Sequence, residues 1–376
     1  MRTGTFVYPW DVVGDPAAPG RLADLGVTSV TLASAYHSTR ALTPRHPRHR
    51  VVTAEHAAVL YPPDGARWSG RELRPYSAGA WAPGDAYGEA ARALADTGLE
   101  VHSWVVLAHN SRLGADHPAT SVVNAYGDRY PWAPCIAQPG VRAYLVDLAV
   151  EAAVRPGAAG TELESCGWYG LAHLHAHDKT AGVALGDREQ YLMSLCFCPS
   201  CRQGYGEEDV DPDALAAAVR GALEPVWAGG PARGLGAFED TVLARRARTA
   251  RTLQEAAVAA VRAAAAPGFR VLLHADPLPY RCGANAGTDP DHVLGMADGV
   301  VTPAASVAPF ARAAGPDTVL AANIGVVTGM GGSPATLAED AERAAADGAT
   351  ELRLYHAGLA SDADLALVAK ALRALG

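Results

Sequence analysis

The chain lacks most of the features that would assign it to a specialised class. No uninterrupted apolar run approaches the roughly 20 residues needed to span a bilayer. The opening MRTGTFVYPWDVV has no continuous apolar h-region before a strand-like run, so neither a signal peptide nor a membrane anchor is legible and a cytoplasmic location is expected. Basic residues are outnumbered: 31 Lys and Arg against 40 Asp and Glu give a formal net charge of -9. A nucleic-acid ligand needs a clustered basic face, so it is not an expected partner, and neither is a membrane. Six cysteines in 376 residues are too few for a disulfide scaffold, so reduced or metal-bound thiols are expected. A Ser-His-Asp nucleophile elbow, a dinucleotide fingerprint and a nucleoside-triphosphate loop are also absent.

What is present is alternation. Short β-branched or aromatic runs are followed by Ala- and Leu-rich stretches of helical spacing, the pattern of a parallel sheet covered by helices. Strands are expected at Thr5 to Tyr8, Thr28 to Ala33, Glu100 to Leu107, Gly160 to Glu164, Arg270 to His274, Gly299 to Thr302, Thr318 to Asn323 and Glu351 to Tyr355. Gly26, Gly98, Gly268 and Gly348 each stand just before a strand, as helix-ending glycines do. Ser361, three residues before Asp364, supplies an N-cap for a last helix. Eight strands predict a single α/β domain over residues 1–376, a (β/α)8 TIM barrel. A doubly wound sheet shares much of the same punctuation.

The length exceeds the roughly 250 residues of a bare barrel. The surplus is assigned to long loops after strands two and four, Ser34 to Gly84 and Ser165 to Asp240, the second being a helical, Cys-containing insertion at about 165–240. Both leave strand C-terminal ends, where barrel enzymes carry their sites.

In Thr161-Glu162-Leu163-Glu164 the alternation puts both carboxylates on one face. If Leu163 packs on the helices, both point into the barrel. Glu164 then stands at the rim as a candidate general acid or base, while Glu162 is a candidate partner for an inward Arg such as Arg353. Asp276, at the end of the fifth strand, is the best second carboxylate, or else a turn former before Pro277. Asp178, in the loop after the fourth strand, is a further candidate.

Other predicted strand ends and loops contribute Tyr8, Trp10, His37, His109, Asn110, Trp168, Tyr169, His177, Lys179, Asn323, Tyr355 and His356. Together they describe a polar, aromatic-lined pocket for a small hydroxylated ligand. Trp168 and Tyr169 are candidates for stacking on a sugar ring. His173, His175 and His177 either ligate a metal or belong to a solvated loop. Cys196, Cys198 and Cys201 bring three thiolates within reach of one structural zinc ion, with Cys166 or a loop His as the fourth ligand; ordinary packed thiols are the alternative. Gly329 to Pro334 is either a weak phosphate loop or a turn.

On the segments Glu164-Ser165-Cys166-Gly167-Trp168-Tyr169, Leu195 to Arg202 and Leu354-Tyr355-His356-Ala357-Gly358-Leu359, the chain resembles uncharacterised bacterial glycoside-hydrolase-like TIM barrels. The resemblance implies a carbohydrate-active enzyme, a sugar or glycoside as the small-molecule partner, and Glu164 as general acid/base. It also implies a nucleophilic Glu at the end of the seventh strand, where this chain has Asn323. Two readings stand beside the hydrolase: a metal-dependent lyase, isomerase or hydrolase using Glu164, His109, His274 and His356, and a sugar-binding barrel without catalysis.

Overall fold

A computed structural model describes residues 1–174 and 178–375. All eight expected strands form: β1 (Arg2–Val7), β2 (Ser29–Tyr36), β3 (Glu100–Val106), β4 (Gly160–Glu164), β5 (Arg270–Asp276), β6 (Gly299–Pro303), β7 (Val319–Gly325) and β8 (Glu351–Tyr355). Each pairs in parallel with its sequence neighbours, and β8 returns to β1 through Arg2 opposite Glu351 and Thr5 opposite Leu354. The ring is therefore closed. This is a (β/α)8 barrel and not a doubly wound sheet, because no strand of the ring is left with a free edge.

Local chemistry explains why these segments alternate. Gly26, Gly98, Gly268 and Gly348 all take positive φ, between 85° and 102°, a conformation that only glycine adopts without steric cost, so each helix stops where its strand begins. Ser361 and Asp364 cap the last helix, Asp362–Leu375, reciprocally: the Asp364 amide donates to Ser361 Oγ at 3.1 Å and the Ser361 amide to Asp364 Oδ2 at 3.2 Å.

Inside the ring, Phe6, Trp104, Leu272, Val301 and Ala321 are buried in one cluster, with Phe6 and Trp104 centroids 4.8 Å apart. Leu163 packs outward on the helix side, so Glu162 and Glu164 both face inward. Polar groups at the lower end of the barrel are paired. Arg270 bonds Glu351 at 3.0 Å, Glu351 bonds Arg353 at 2.8 Å, and Arg353 Nε donates to Glu162 Oε1 at 2.6 Å.

Three excursions leave the C-terminal ends of the strands, one more than the sequence predicts. After β2, residues 37–85 carry a hairpin, Thr39–Leu42 with Val51–Ala54, and a short strand, Ala58–Val59, antiparallel to the end of β2. After β4, residues 165–238 carry the helices Asp187–Met193, Pro199–Gly206 and Pro212–Leu223 before the long helix Glu239–Ala264. The unexpected third excursion, residues 107–138 after β3, holds the helix Ser111–Asp116 and the hairpin Ser121–Val123 with Arg129–Pro134. Among the described residues, no helix is long and apolar enough to cross a membrane.

Candidate active site and metal centres

Glu164 is the last residue of β4 and is buried at the barrel mouth, where its Oε2 accepts a hydrogen bond from Trp104 Nε1 at 2.8 Å. Tyrosines from the ends of β1, β2 and β8 lie close enough to feel its charge. Burial raises the hydroxyls of Tyr8, Tyr36 and Tyr355 above their ordinary range, and the charge of Glu164 adds to each shift. They therefore remain protonated and able to donate. The Tyr8 hydroxyl already donates to that of Tyr36 at 3.0 Å.

An aromatic wall extends from this centre in two directions. Tyr8 stacks on Trp10 at 4.5 Å and on His356 at 4.4 Å. Tyr36 stacks on His37 at 4.2 Å, His37 lies 4.4 Å from His109, and His109 stacks on Tyr169 at 4.2 Å. His356 is fully buried with neither ring nitrogen bonded, and burial, reinforced by Arg45, pushes its pKa down to about 3. It is a neutral imidazole. Asn323 faces inward from β7 with its Oδ1 buried and unbonded.

The remaining carboxylates separate by their partners. Asp276 accepts from the Leu278 amide at 2.9 Å and lies 3.3 Å from Arg281 Nε, so it carries the turn before Pro277 as well as facing a cation. Burial raises its pKa against those two contacts. Asp178 Oδ2 accepts from the Leu174 amide at 2.7 Å. The Tyr169 hydroxyl feels both Glu164 and Asp178: burial raises it first, and the two carboxylate charges raise it further. Asp178 thus shares a neighbour with Glu164.

Several predicted ligand contacts are committed elsewhere. The Trp168 indole donates to the Arg246 carbonyl at 2.9 Å and lies 4.6 Å from its guanidinium, so it is turned into the packing of the insertion and not toward the mouth. Ser165 explains the turn, since its φ of 55° breaks the strand alternation just before this segment. Asn110 Oδ1 caps the helix Ser111–Asp116 through the Leu113 amide at 2.9 Å, so its acceptor is spent on the backbone. Lys179 is exposed, and His177, like His175, lies outside the described residues. The amides at the Gly-rich turn after β7 bond within the turn, Gly332 to Val327 and Ser333 to Gly325, which makes it a turn and not an anion cradle.

The buried cysteines gather. Cys135, Cys196, Cys198 and Cys201 have their sulphurs within 4.8 Å of one another, with Cys135 Sγ 3.6 Å from both Cys198 and Cys201. The fourth member is therefore Cys135, from the β3 excursion, and neither Cys166 nor a loop His. Cys166 stands apart as a thiol that burial pushes up to about 12. Within the cluster, hydrogen bonding with Cys135, Cys196 and Cys201 pulls the Cys198 thiol down, that with Cys196, Cys198 and Cys201 pushes Cys135 up, and Cys201, though lowered by Cys135, is raised on balance by Cys196 and Cys198. The Val123 and Cys198 amides also point at Cys196 Sγ, at 3.5 and 3.4 Å. Tetrahedral zinc with sulphurs at about 2.3 Å sets them about 3.8 Å apart, so the observed spacing fits a metal site.

A second group, His37, His109 and His173, brings three ring nitrogens within 4.8 Å at the mouth. His173 thus joins two residues from other loops. The other His residues of the metal-enzyme reading do not join it: His274 faces Glu162 at 3.5 Å in the barrel interior, and His356 stacks on Tyr8.

No family model matches this sequence, and no curated protein matches it. Solved structures do. The chain is similar to α-L-fucosidase isoenzyme 2 from Paenibacillus thiaminolyticus, with 14% identity and a TM-score of 0.60 over 100% of this chain and 49% of that one. The PgaB (BpsB) glycoside hydrolase domain from Bordetella bronchiseptica gives 16% identity and a TM-score of 0.58 over 99% and 98% of the two chains. A GH42 β-galactosidase from G. stearothermophilus gives 11% and 0.58 over 100% and 56%. The chain spans about half the length of the fucosidase and the galactosidase and nearly all of the hydrolase domain. At these identities the likeness is one of fold: this chain has the closed barrel that these glycoside hydrolases have.

Proposed function

We propose that the protein is a carbohydrate-active hydrolase in which Glu164 protonates, and later deprotonates, the groups at a glycosidic bond. The observation that carries the reading is Glu164 itself, a buried rim carboxylate oriented by Trp104 and ringed by Tyr8, Tyr36 and Tyr355. Aromatic faces and neutral hydroxyl donors suit a sugar ring, and a fixed carboxylate beside them suits acid/base chemistry. The barrels of glycoside hydrolases support the reading by analogy of fold. Asp178, which shares Tyr169 with Glu164, and Asp276, which accepts from Leu278 and faces Arg281, are the two candidates for the second carboxylate. Crystals soaked with monosaccharides test the reading: a sugar against Glu164 and Tyr8 supports it, and a sugar bound away from Glu164 overturns it.

One observation favours a second reading, a sugar-binding barrel without turnover. Asn323 stands at the end of β7 where the family resemblance implies a carboxylate. Tight glycoside binding with no hydrolysis is the outcome that selects it.

We further propose that Cys135, Cys196, Cys198 and Cys201 hold a structural zinc ion. The supporting geometry is a set of four buried sulphurs of one cluster, with amide donors aimed at one of them. The ion would tie the β3 excursion to the β4 insertion. Metal analysis of untagged protein tests this: one zinc lost on Cys198→Ser supports it, and no metal at this cluster overturns it.

A further inference from the structure

We infer that His37, His109 and His173 form a second site, for a divalent first-row transition-metal ion, at the barrel mouth. The three residues come from the loops after β2, β3 and β4, which are neighbours in the ring, and their ring nitrogens lie within 4.8 Å of one another. Such an arrangement is a three-nitrogen donor set with no thiolate and no carboxylate in it, which suits zinc, copper, nickel or iron.

The hydrogen bonds orient the rings for this. His37 Nδ1 donates to the Ser38 carbonyl at 2.8 Å, which leaves Nε2 as the lone-pair nitrogen. His109 Nε2 is buried and has no partner, while a backbone hydrogen bond to Leu174 engages the other side of the ring. A backbone acceptor on one ring nitrogen is the usual way of fixing the other as a ligand. His173 sits on the exposed side, with Nε2 3.3 Å from the Tyr169 hydroxyl. Zinc–nitrogen bonds of about 2.0–2.1 Å need nitrogens about 3.3 Å apart, so the rings draw together from within 4.8 Å when the ion enters.

Three protein ligands leave a coordination position for water or a ligand hydroxyl. Tyr169, which stacks on His109, also feels the charge of Glu164, so the ion would lie beside the carboxylate centre. The assignment does not rest on the hydrolase reading.

The test uses untagged full chain, loaded with zinc and dialysed, with bound zinc counted by mass spectrometry. Wild type should hold one equivalent more than His173→Ala and His37→Gln, whether or not the cysteines are filled, and Cys198→Ser should leave that equivalent in place. His173→Ala is the safer variant because its side chain is exposed. With Cu(II) as probe, wild type should give an electron paramagnetic resonance signal split by imidazole nitrogens that both His variants lose. Zinc affinity should fall at least about 100-fold in each, since outer partners alone cost 10–100-fold. Equal zinc counts in wild type and both His variants, or an unchanged copper spectrum, would overturn the assignment and leave three imidazoles in ring contact.

Discussion

Glu162 and Glu164 stand two residues apart on the same face of β4, yet Glu162 is locked to Arg353 at 2.6 Å while Glu164 meets the indole of Trp104 at 2.8 Å. One strand thus supplies a structural charge and a rim charge. Burial alone would push the Glu162 carboxyl up, but the Arg353 guanidinium, with His274 and His102, holds it well below the usual carboxylate range.

That difference is measurable in stability. Glu162→Ala strands the Arg353 guanidinium in the barrel interior with only Glu351 to pair it, and should cost about 3–5 kcal/mol in denaturant unfolding. The double change Glu162→Leu with Arg353→Met removes both charges and should cost clearly less. Equal losses in the two variants would mean that the pair is not coupled.

Cys135 is the discriminating residue of the sulphur cluster. Cys135→Ser should lower metal content and unfolding temperature together, whereas Cys166→Ser should leave metal content unchanged, because Cys166 lies outside the cluster. Metal analysis of the two variants side by side decides between the two cysteines.

Asp11 gives the pH dependence. Its carboxyl accepts from the Tyr8 amide at 2.8 Å, but burial raises its pKa to about 7 against that bond and the charge of Arg45. Between about pH 4 and 7 the folded chain therefore holds a proton that the unfolded chain has released, so stability contributed below pH 4 is lost as pH rises through 7. Because Asp11 is not fully enclosed, the swing is roughly 1–3 kcal/mol. Asp11→Asn should flatten this part of the stability profile. An unchanged slope would show that other groups set it.

The barrel was legible because each of its strands is a short apolar run bounded by a turn signal, with Gly26, Gly98, Gly268 and Gly348 marking four of the boundaries. Strand alternation also puts Glu162 and Glu164 on one face, and Arg353 of the last strand is the inward partner expected for Glu162. Tertiary meetings were not legible. Cys135 and Cys201 are 66 residues apart, and nothing local marks Cys135 as a partner, since it follows a hairpin that the pattern did not reveal. His37, His109 and His173 likewise meet only because three loops close over the same mouth. The contact of the Trp168 indole with the Arg246 carbonyl follows a backbone reversal at Ser165 that its neighbours in sequence do not mark. The capping role of Asn110 depends on a helix that begins at the next residue, Ser111, which the sequence pattern does not mark.

Whether Glu164 moves the proton at a glycosidic bond is read from kcat for Glu164→Gln against wild type on a panel of nitrophenyl glycosides. Glutamine keeps the size of the side chain and an acceptor for Trp104, so folding should be preserved. Wild type should hydrolyse at least one member of the panel, and the variant should be slower by about 10²–10⁴-fold. A Glu164→Gln protein as active as wild type, or a wild type that turns over none of them, would contradict it.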